Sequence, residues 1–120
     1  MAWSFNEHTP VWLQIEMRLR NEIISGVYKS NEQIPTVRQL AVTAAVNPNT
    51  VQRALTALEE EGLIHSNGTV GRFVTDDESV LAAARRKATQ ELVKNFVKQA
   101  GYLSVSKEEL IEILREESNI

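Results

Sequence analysis

The side chains of this chain best equipped for chemistry fall in one short run, from Asn47 to Glu59. Asn49, Arg53 and Thr56 recur on one side of a helical projection, flanked by Thr50 and Gln52. Amides, hydroxyls and a guanidinium at that spacing are hydrogen-bonding groups suited to phosphates or to the donor and acceptor edges of bases. Val51, Ala54, Leu55 and Leu58 take the opposite side at i, i+3, i+4 and i+7. The run therefore predicts a helix over 47–61 with one buried and one polar stripe. Asn47 is a good N-cap, and Pro48 suits the first helical position, where an N–H would have no intrahelical partner anyway. The free N–H groups of such a helix start favour an anion. A polar outer face is also the default of any surface helix, so the flanking elements must decide.

Other chemistries find little support. The chain has no cysteine, which removes disulfides, thiolate nucleophiles and thiolate metal sites. His8 and His65 are far apart, and neither has a histidine or carboxylate at metal-ligand spacing, so no metal is expected. There is no glycine-rich phosphate loop and no clustered acid–base pair. An enzyme is disfavoured and no cofactor is expected. No apolar run approaches membrane-spanning length, and the N-terminal MAWSFNEH lacks the pattern of a signal peptide. A cytoplasmic protein is expected. The formal net charge of −3 argues mildly against nucleic acid. Dividing the chain does not help, because residues 1–75 carry six basic and seven acidic side chains. A nucleic-acid reading must rest on local placement instead.

The elements that would position the polar run can be read outward from it. Thr9-Pro10 predicts a helix start with Thr9 as N-cap, and Trp12, Ile15, Leu19 and Ile23 make the core stripe of a helix over 10–25 that Gly26 ends. Trp3 and Phe5 precede it and can pack on the same body or on a partner. Residues 27–35 have no helical period; Asn31 marks a positive-φ turn, and Pro35 bars helix from the residue before it. Thr36 with Gln39 is a capping box that opens a short helix over 36–44, with Val37, Leu40 and Ala41 inward. Only a few residues then separate it from the helix at 47–61, the spacing of a helix-turn-helix. Gly62 ends that helix, 63–66 reads as a strand, Asn67-Gly68 as a hairpin turn, and 70–74 as the return strand, with Gly71 at a close approach or bulge. A helix-turn-helix followed by a hairpin is a winged helix, in which His65 is a strand residue and Arg72 the only basic wing residue. The fold class is mainly α with a small β-hairpin wing.

Beyond residue 75 the pattern changes. Leu81, Ala84, Ala88, Leu92 and Phe96 run along one face of a long helix over 77–100, with Val80, Val93 and Val97 beside them. Gly101 ends it. Ser106 and Glu109 open a last helix over 106–117, with Leu110, Ile113 and Leu114 on one side. The domain division expected is 1–75, a winged helix-turn-helix, and 76–120, a helical tail. A two-helix hairpin of that size is too small to bury both strips alone. The winged helix or a second copy of the chain must cover them, and the length of the band favours a second copy, with Leu81, Ala84, Ala88, Leu92, Phe96, Leu110, Ile113 and Leu114 as the dimer contact.

With these elements placed, several spaced motifs resemble the GntR family of bacterial transcription regulators. They are Pro10-Val11-Trp12-Leu13-Gln14-Ile15, Leu19-Arg20, Ile34-Pro35-Thr36-Val37-Arg38-Gln39-Leu40-Ala41, Asn49-Thr50-Val51 with Ala54, and Leu58-Glu59-Glu60-Glu61-Gly62-Leu63-Ile64 leading to Gly71, Phe73 and Val74. The Val46-Asn47-Pro48-Asn49-Thr50-Val51 segment and the short tail look like the YtrA-like branch. The resemblance implies a dimer that binds operator DNA. It implies that Arg38, beside Thr36, contacts DNA, that Asn47, Asn49, Thr50, Arg53 and Gln52 read the major groove, and that the wing tip, Asn67, Gly68 and Thr69 with Arg72 behind it, approaches the minor groove or its phosphates. The chain departs from the family in carrying Pro48 where many relatives have arginine, Asn31 for a usual glycine, and no lysine or arginine at the wing tip.

The reading is a transcription regulator, a repressor, with double-stranded operator DNA and a second copy of itself as partners. The alternative is a winged-helix module for protein or RNA contact without operator specificity. The tail is too small to enclose a ligand pocket, so a small-molecule effector would have to sit at the junction or the dimer interface. The three consecutive acids Glu59-Glu60-Glu61, at a helix end where the dipole disfavours them, have no account at this level.

Overall fold

The computed structural model describes residues 2–118. It contains α1 (Val11–Ile24), α2 (Val37–Ala44), α3 (Pro48–Glu60), β1 (Ile64–Asn67), β2 (Gly71–Val74), α4 (Glu78–Gly101) and α5 (Lys107–Glu116). The chain forms two compact units, Met1–Ala84 and Arg85–Ile120, and α4 passes from one into the other.

The first unit is built on α3. Val51, Ala54, Leu55 and Leu58 are fully buried, and they meet Ile15, Leu19 and Ile23 from α1 and Leu40 and Ala41 from α2. The expected caps hold α2 and α3 in place. Gln39 N donates to Thr36 Oγ1 at 3.1 Å while Thr36 N donates to Gln39 Oε1 at 2.8 Å. Asn49 N donates to the Asn47 side chain at 2.8 Å. The turn between the two helices runs through Ala45 at φ 58°, ψ 50°, a left-handed conformation that disfavours any Cβ. Nothing in the sequence marked it. Thr9, in contrast, does not cap α1. Pro10 is the N-cap, extended at φ −53°, ψ 140°, so the helix starts one residue later than expected. Gln14 ties down the entry instead, donating to Thr9 O at 2.7 Å and accepting from Asn6 N at 3.0 Å.

The wing is an antiparallel hairpin in which Ile64 pairs with Val74 and Asn67 with Gly71. Residues 31–34, read from the sequence only as non-helical, lie along β2. Asn31 N donates to Val74 O, Val74 N to Glu32 O and Ile34 N to Arg72 O, all at 2.9–3.0 Å. Asn31 takes the positive φ expected of it, 65°. Gly71, at φ 140°, lies where a Cβ would come within 2.5 Å of the Gln33 amide nitrogen, which itself donates to Val70 O. Ile64, Leu63 and Val74 anchor the hairpin in the core. Trp3 and Phe5 pack on this same body, as do Val80, Leu81 and Ala84 from the first turns of α4.

The second unit holds the rest of α4 and α5. Ser104 at φ 56° makes the turn between them, and Glu109 N donates to Ser106 Oγ at 3.2 Å to cap α5. Among the described residues of this unit only Ala100 is buried; Leu92, Phe96, Tyr102, Leu103, Ile113 and Leu114 are exposed on the single chain.

Candidate nucleic-acid interface

The polar stripe of α3 faces solvent, as its periodicity requires. Asn47, Asn49, Gln52 and Arg53 are exposed and Thr50 half-buried. Arg38, on the first turn of α2, is exposed and has no hydrogen bond or ion pair among the described residues. Arg38 and Pro48 line one shallow groove, so the starts of α2 and α3 share a surface. The first N–H groups of α3 are already engaged there: Pro48 has none, Asn49 N donates to the Asn47 side chain, and Thr50 N and Val51 N donate to Asn47 O. The helix dipole and exposed side chains, not free backbone donors, therefore favour an anion on that surface.

The remaining candidates are placed less simply. Thr36 uses its hydroxyl to cap α2. Gln52 leans along the helix, its amide donating to Thr56 Oγ1 at 3.3 Å. Arg53 lies over the ring of Trp12, with the guanidinium carbon 4.4 Å from the ring centroid. Trp12, expected in the core, is only half-buried and serves as this platform instead. The wing tip Asn67, Gly68 and Thr69 is exposed. Arg72 is turned inward: its Nε donates to Glu59 Oε1 at 2.5 Å, and Ser66 Oγ donates to the same oxygen at 2.9 Å. Burial acts to raise the Glu59 pKa, but those two hydrogen bonds outweigh it and hold the carboxyl below its ordinary 4.5.

That contact accounts for one of the three acids that end α3. Glu61 accounts for another: it accepts from Arg20 Nη2 at 2.8 Å and from Arg20 Nε at 3.2 Å, fastening α1 to the end of α3. Arg20 also reaches Glu16, a buried carboxylate in the core stripe of α1 that the sequence reading passed over. The available signal was the Glu16–Arg20 spacing of i, i+4 on a face otherwise apolar. Oε2 of Glu16 is buried without a hydrogen-bond partner among the described residues. Burial, and then the neighbouring Glu61 carboxyl, push Glu16 up to about 7 against the pull of Arg20.

Pairing changes the charge picture. Of the six basic residues in the first 75, Arg18, Arg20 and Arg72 are in ion pairs. Arg38, Arg53 and Lys29 have no carboxylate within ion-pair distance among the described residues. Three of the acids, Glu59, Glu60 and Glu61, fall at the far end of α3 from its N-terminus.

A helix-turn-helix carrying an exposed polar helix start, buttressed by a third helix and followed by a hairpin, is a winged-helix DNA-binding domain. Residues 12–74 match the model of the bacterial regulatory proteins of the gntR family, and the chain belongs to that family of DNA-binding transcription regulators. It is 31% identical over 109 residues to the HTH-type transcriptional repressor YtrA of Bacillus subtilis, covering 90% of this chain and 84% of that protein. Among solved structures, a GntR family transcriptional regulator from Listeria monocytogenes superposes with a TM-score of 0.86 at 29% identity, covering 95% of this chain and all of that one. The AraR DNA-binding domain in complex with operator ORE1 is similar with a TM-score of 0.56 at 25% identity, covering 62% of this chain and 93% of that one.

Proposed function

We propose that this protein is a cytoplasmic repressor that binds an inverted-repeat operator as a homodimer, each subunit placing the start of α3 in a major groove. The observation that carries the reading is the surface shared by Arg38 and the start of α3, where the Arg38 guanidinium has no ion-pair partner among the described residues and Glu59, Glu60 and Glu61 lie at the other end of the helix. AraR binds an operator through a similar domain, and YtrA is a repressor of similar length. In this reading Arg38 holds a phosphate or a guanine edge. Asn49 favours adenine, Arg53 on its Trp12 platform favours guanine, and Asn47, Thr50 and Gln52 support them. The wing tip, Asn67 to Thr69, approaches the minor groove through its backbone and Thr69, because Arg72 is committed to Glu59.

The tail supplies the second copy. No helix among the described residues is long and apolar enough to cross a membrane, yet Leu92 is 69% exposed, Leu103 76% and Ile113 53%. Apolar side chains at that density call for a partner surface. Leu81 and Ala84 pack on the core of the first unit, so the dimer contact falls to Ala88, Leu92 and Phe96 on α4 and Leu110, Ile113 and Leu114 on α5. Repression then requires only operator occupancy.

The test is a duplex selected from a random pool by the full chain, its half-sites then moved apart by half a helical turn, about five base pairs. Affinity is expected to fall to that of one half-site, because the second contact is intramolecular only while both recognition helices meet one face. Unchanged affinity after insertion overturns the rigid dimer, and a pool that yields no preferred sequence overturns operator recognition.

A further inference from the structure

The groove beside Arg38 is apolar where a DNA-reading surface is ordinarily polar. It has a volume of about 520 Å³, is open to solvent, and is lined by Val37, Arg38, Ala41, Val42, Val46 and Pro48. Val42 is 77% exposed, more than any other valine among the described residues. It follows Arg38 by four residues on α2, so the two side chains lie on one face. Pro48 is the first residue of α3 and has no N–H to offer. Asn47, beside it, has its side-chain oxygen committed to the Asn49 N–H. The leading edge of the recognition helix thus meets its target with a hydrocarbon rim rather than a donor.

Resting on the operator reading above, we propose that this groove recognises the C5-methyl group of thymine, and that Val42, Val46 and Pro48 are specificity-determining residues for it. In the major groove every base edge displays donors or acceptors, and thymine alone adds an apolar group. A guanine, adenine or cytosine edge pressed against Val42 and Pro48 would lose water without gaining a hydrogen bond, whereas a methyl group loses nothing there. Asn49, next in sequence to Pro48, is suited to adenine, so the same end of α3 favours A·T pairs by two independent contacts. The occupant follows from continuity: the groove shares Arg38 with the proposed DNA surface and opens on the same side as the α3 start.

The experiment uses the full chain and a duplex enriched from a random pool, with each thymine of a half-site replaced in turn by deoxyuridine, which pairs identically and lacks only the methyl. At one or more positions per half-site, affinity is expected to fall about four-fold, the equivalent of ~0.8 kcal/mol for one buried methyl-sized group. In Val42→Ser and Pro48→Ala that penalty should vanish, while the penalty of mutating base pairs elsewhere in the site remains. A merely structural role for these residues would lower affinity for thymine and deoxyuridine duplexes alike. An enriched sequence insensitive to deoxyuridine at every position, or a penalty undiminished in both variants, overturns the thymine contact and leaves operator recognition standing. Absence of any enriched sequence overturns both.

Discussion

Replacing Glu16 by glutamine should make the first unit less sensitive to alkaline conditions. Glu16 is 1% exposed, one of its oxygens has no partner, and its pKa stands at about 7 against an ordinary 4.5. The folded protein therefore holds a proton that the unfolded chain has released across the window between those two values. Wherever the native state binds more protons than the unfolded state, stability falls as pH rises. The contribution is complete below pH 4.5, declines through the window, and levels off above 7. At 1.36 kcal/mol per pKa unit the whole interval corresponds to about 3 kcal/mol, most of which falls between pH 5 and pH 8. Glu59 is shifted the other way, below 4.5, so its contribution is lost only at lower pH and does not overlap this window.

Glutamine keeps the shape and cannot ionise. Urea unfolding followed by tryptophan fluorescence reads the right unit, because both tryptophans, Trp3 and Trp12, lie in it. Relative to the unsubstituted protein, Glu16→Gln should gain about 2–3 kcal/mol between pH 5 and pH 8, a change in midpoint of about 10–20 °C for a domain of this size if heat is used instead. Equal pH slopes for the two proteins would refute the reasoning. So would a variant that is less stable at pH 8 than at pH 5 by the same margin as its parent, since the Arg20 ion pair would then outweigh burial.

Three further outcomes follow from the wing and the turn. Glu59→Gln should free Arg72 and Ser66 and destabilise the hairpin by about 1 kcal/mol, since the pair is only partly buried; amide hydrogen exchange at β1 and β2 should quicken while α1 is unaffected. Ala45→Gly should stabilise by up to about 1 kcal/mol in urea, because glycine carries no Cβ into the left-handed turn although it gives back some unfolded-state entropy. Gly71→Ala should destabilise by about 1–3 kcal/mol, since it combines a φ of 140° with a Cβ 2.5 Å from the Gln33 amide.

The helices and hairpin were legible because each carried two agreeing signals. Period and cap coincided for α2 and α3, and for the wing a turn dipeptide coincided with a helix stop at Gly62 and strand-like runs on either side. What escaped had only a tertiary cause. Ala45 adopts a glycine-like conformation because the packing of Leu40 and Ala41 against α3 fixes both ends of the turn. Glu16 is buried because α1 crosses where Arg20 and Glu61 can meet it. Thr9 had the right residue type for a cap, but the extended Pro10 took the position. Residues 31–34 had no strand pattern, since their pairing is dictated by β2 lying alongside. Within the candidate interface, helical period placed Asn49 and Arg53 on the outward side. It did not reveal that Arg53 rests on Trp12 or that Arg72 faces Glu59, because both depend on neighbours distant in sequence.

The acid run at the end of α3 is the clearest case of a local rule broken for a tertiary reason. Three glutamates at a helix C-terminus oppose the dipole, yet two of them face arginines from other elements: Glu59 meets Arg72 of the wing, and Glu61 meets Arg20 of α1. Each pair removes one positive and one negative charge from the exposed total. A unit whose formal charge leans negative thereby leaves Arg38, Arg53 and Lys29 without ion-pair partners among the described residues, while Glu59, Glu60 and Glu61 sit at the end of α3 opposite Arg38 and Pro48. Bulk charge mispredicts such a surface because it counts charges without regard to which are already neutralised. The same pairs that organise the charge also fix α1 and the wing to α3. A loss of Glu59 or Glu61 should consequently alter both the orientation of the reading elements and the field around them, whereas loss of the solvent-facing Glu60 should alter the field alone.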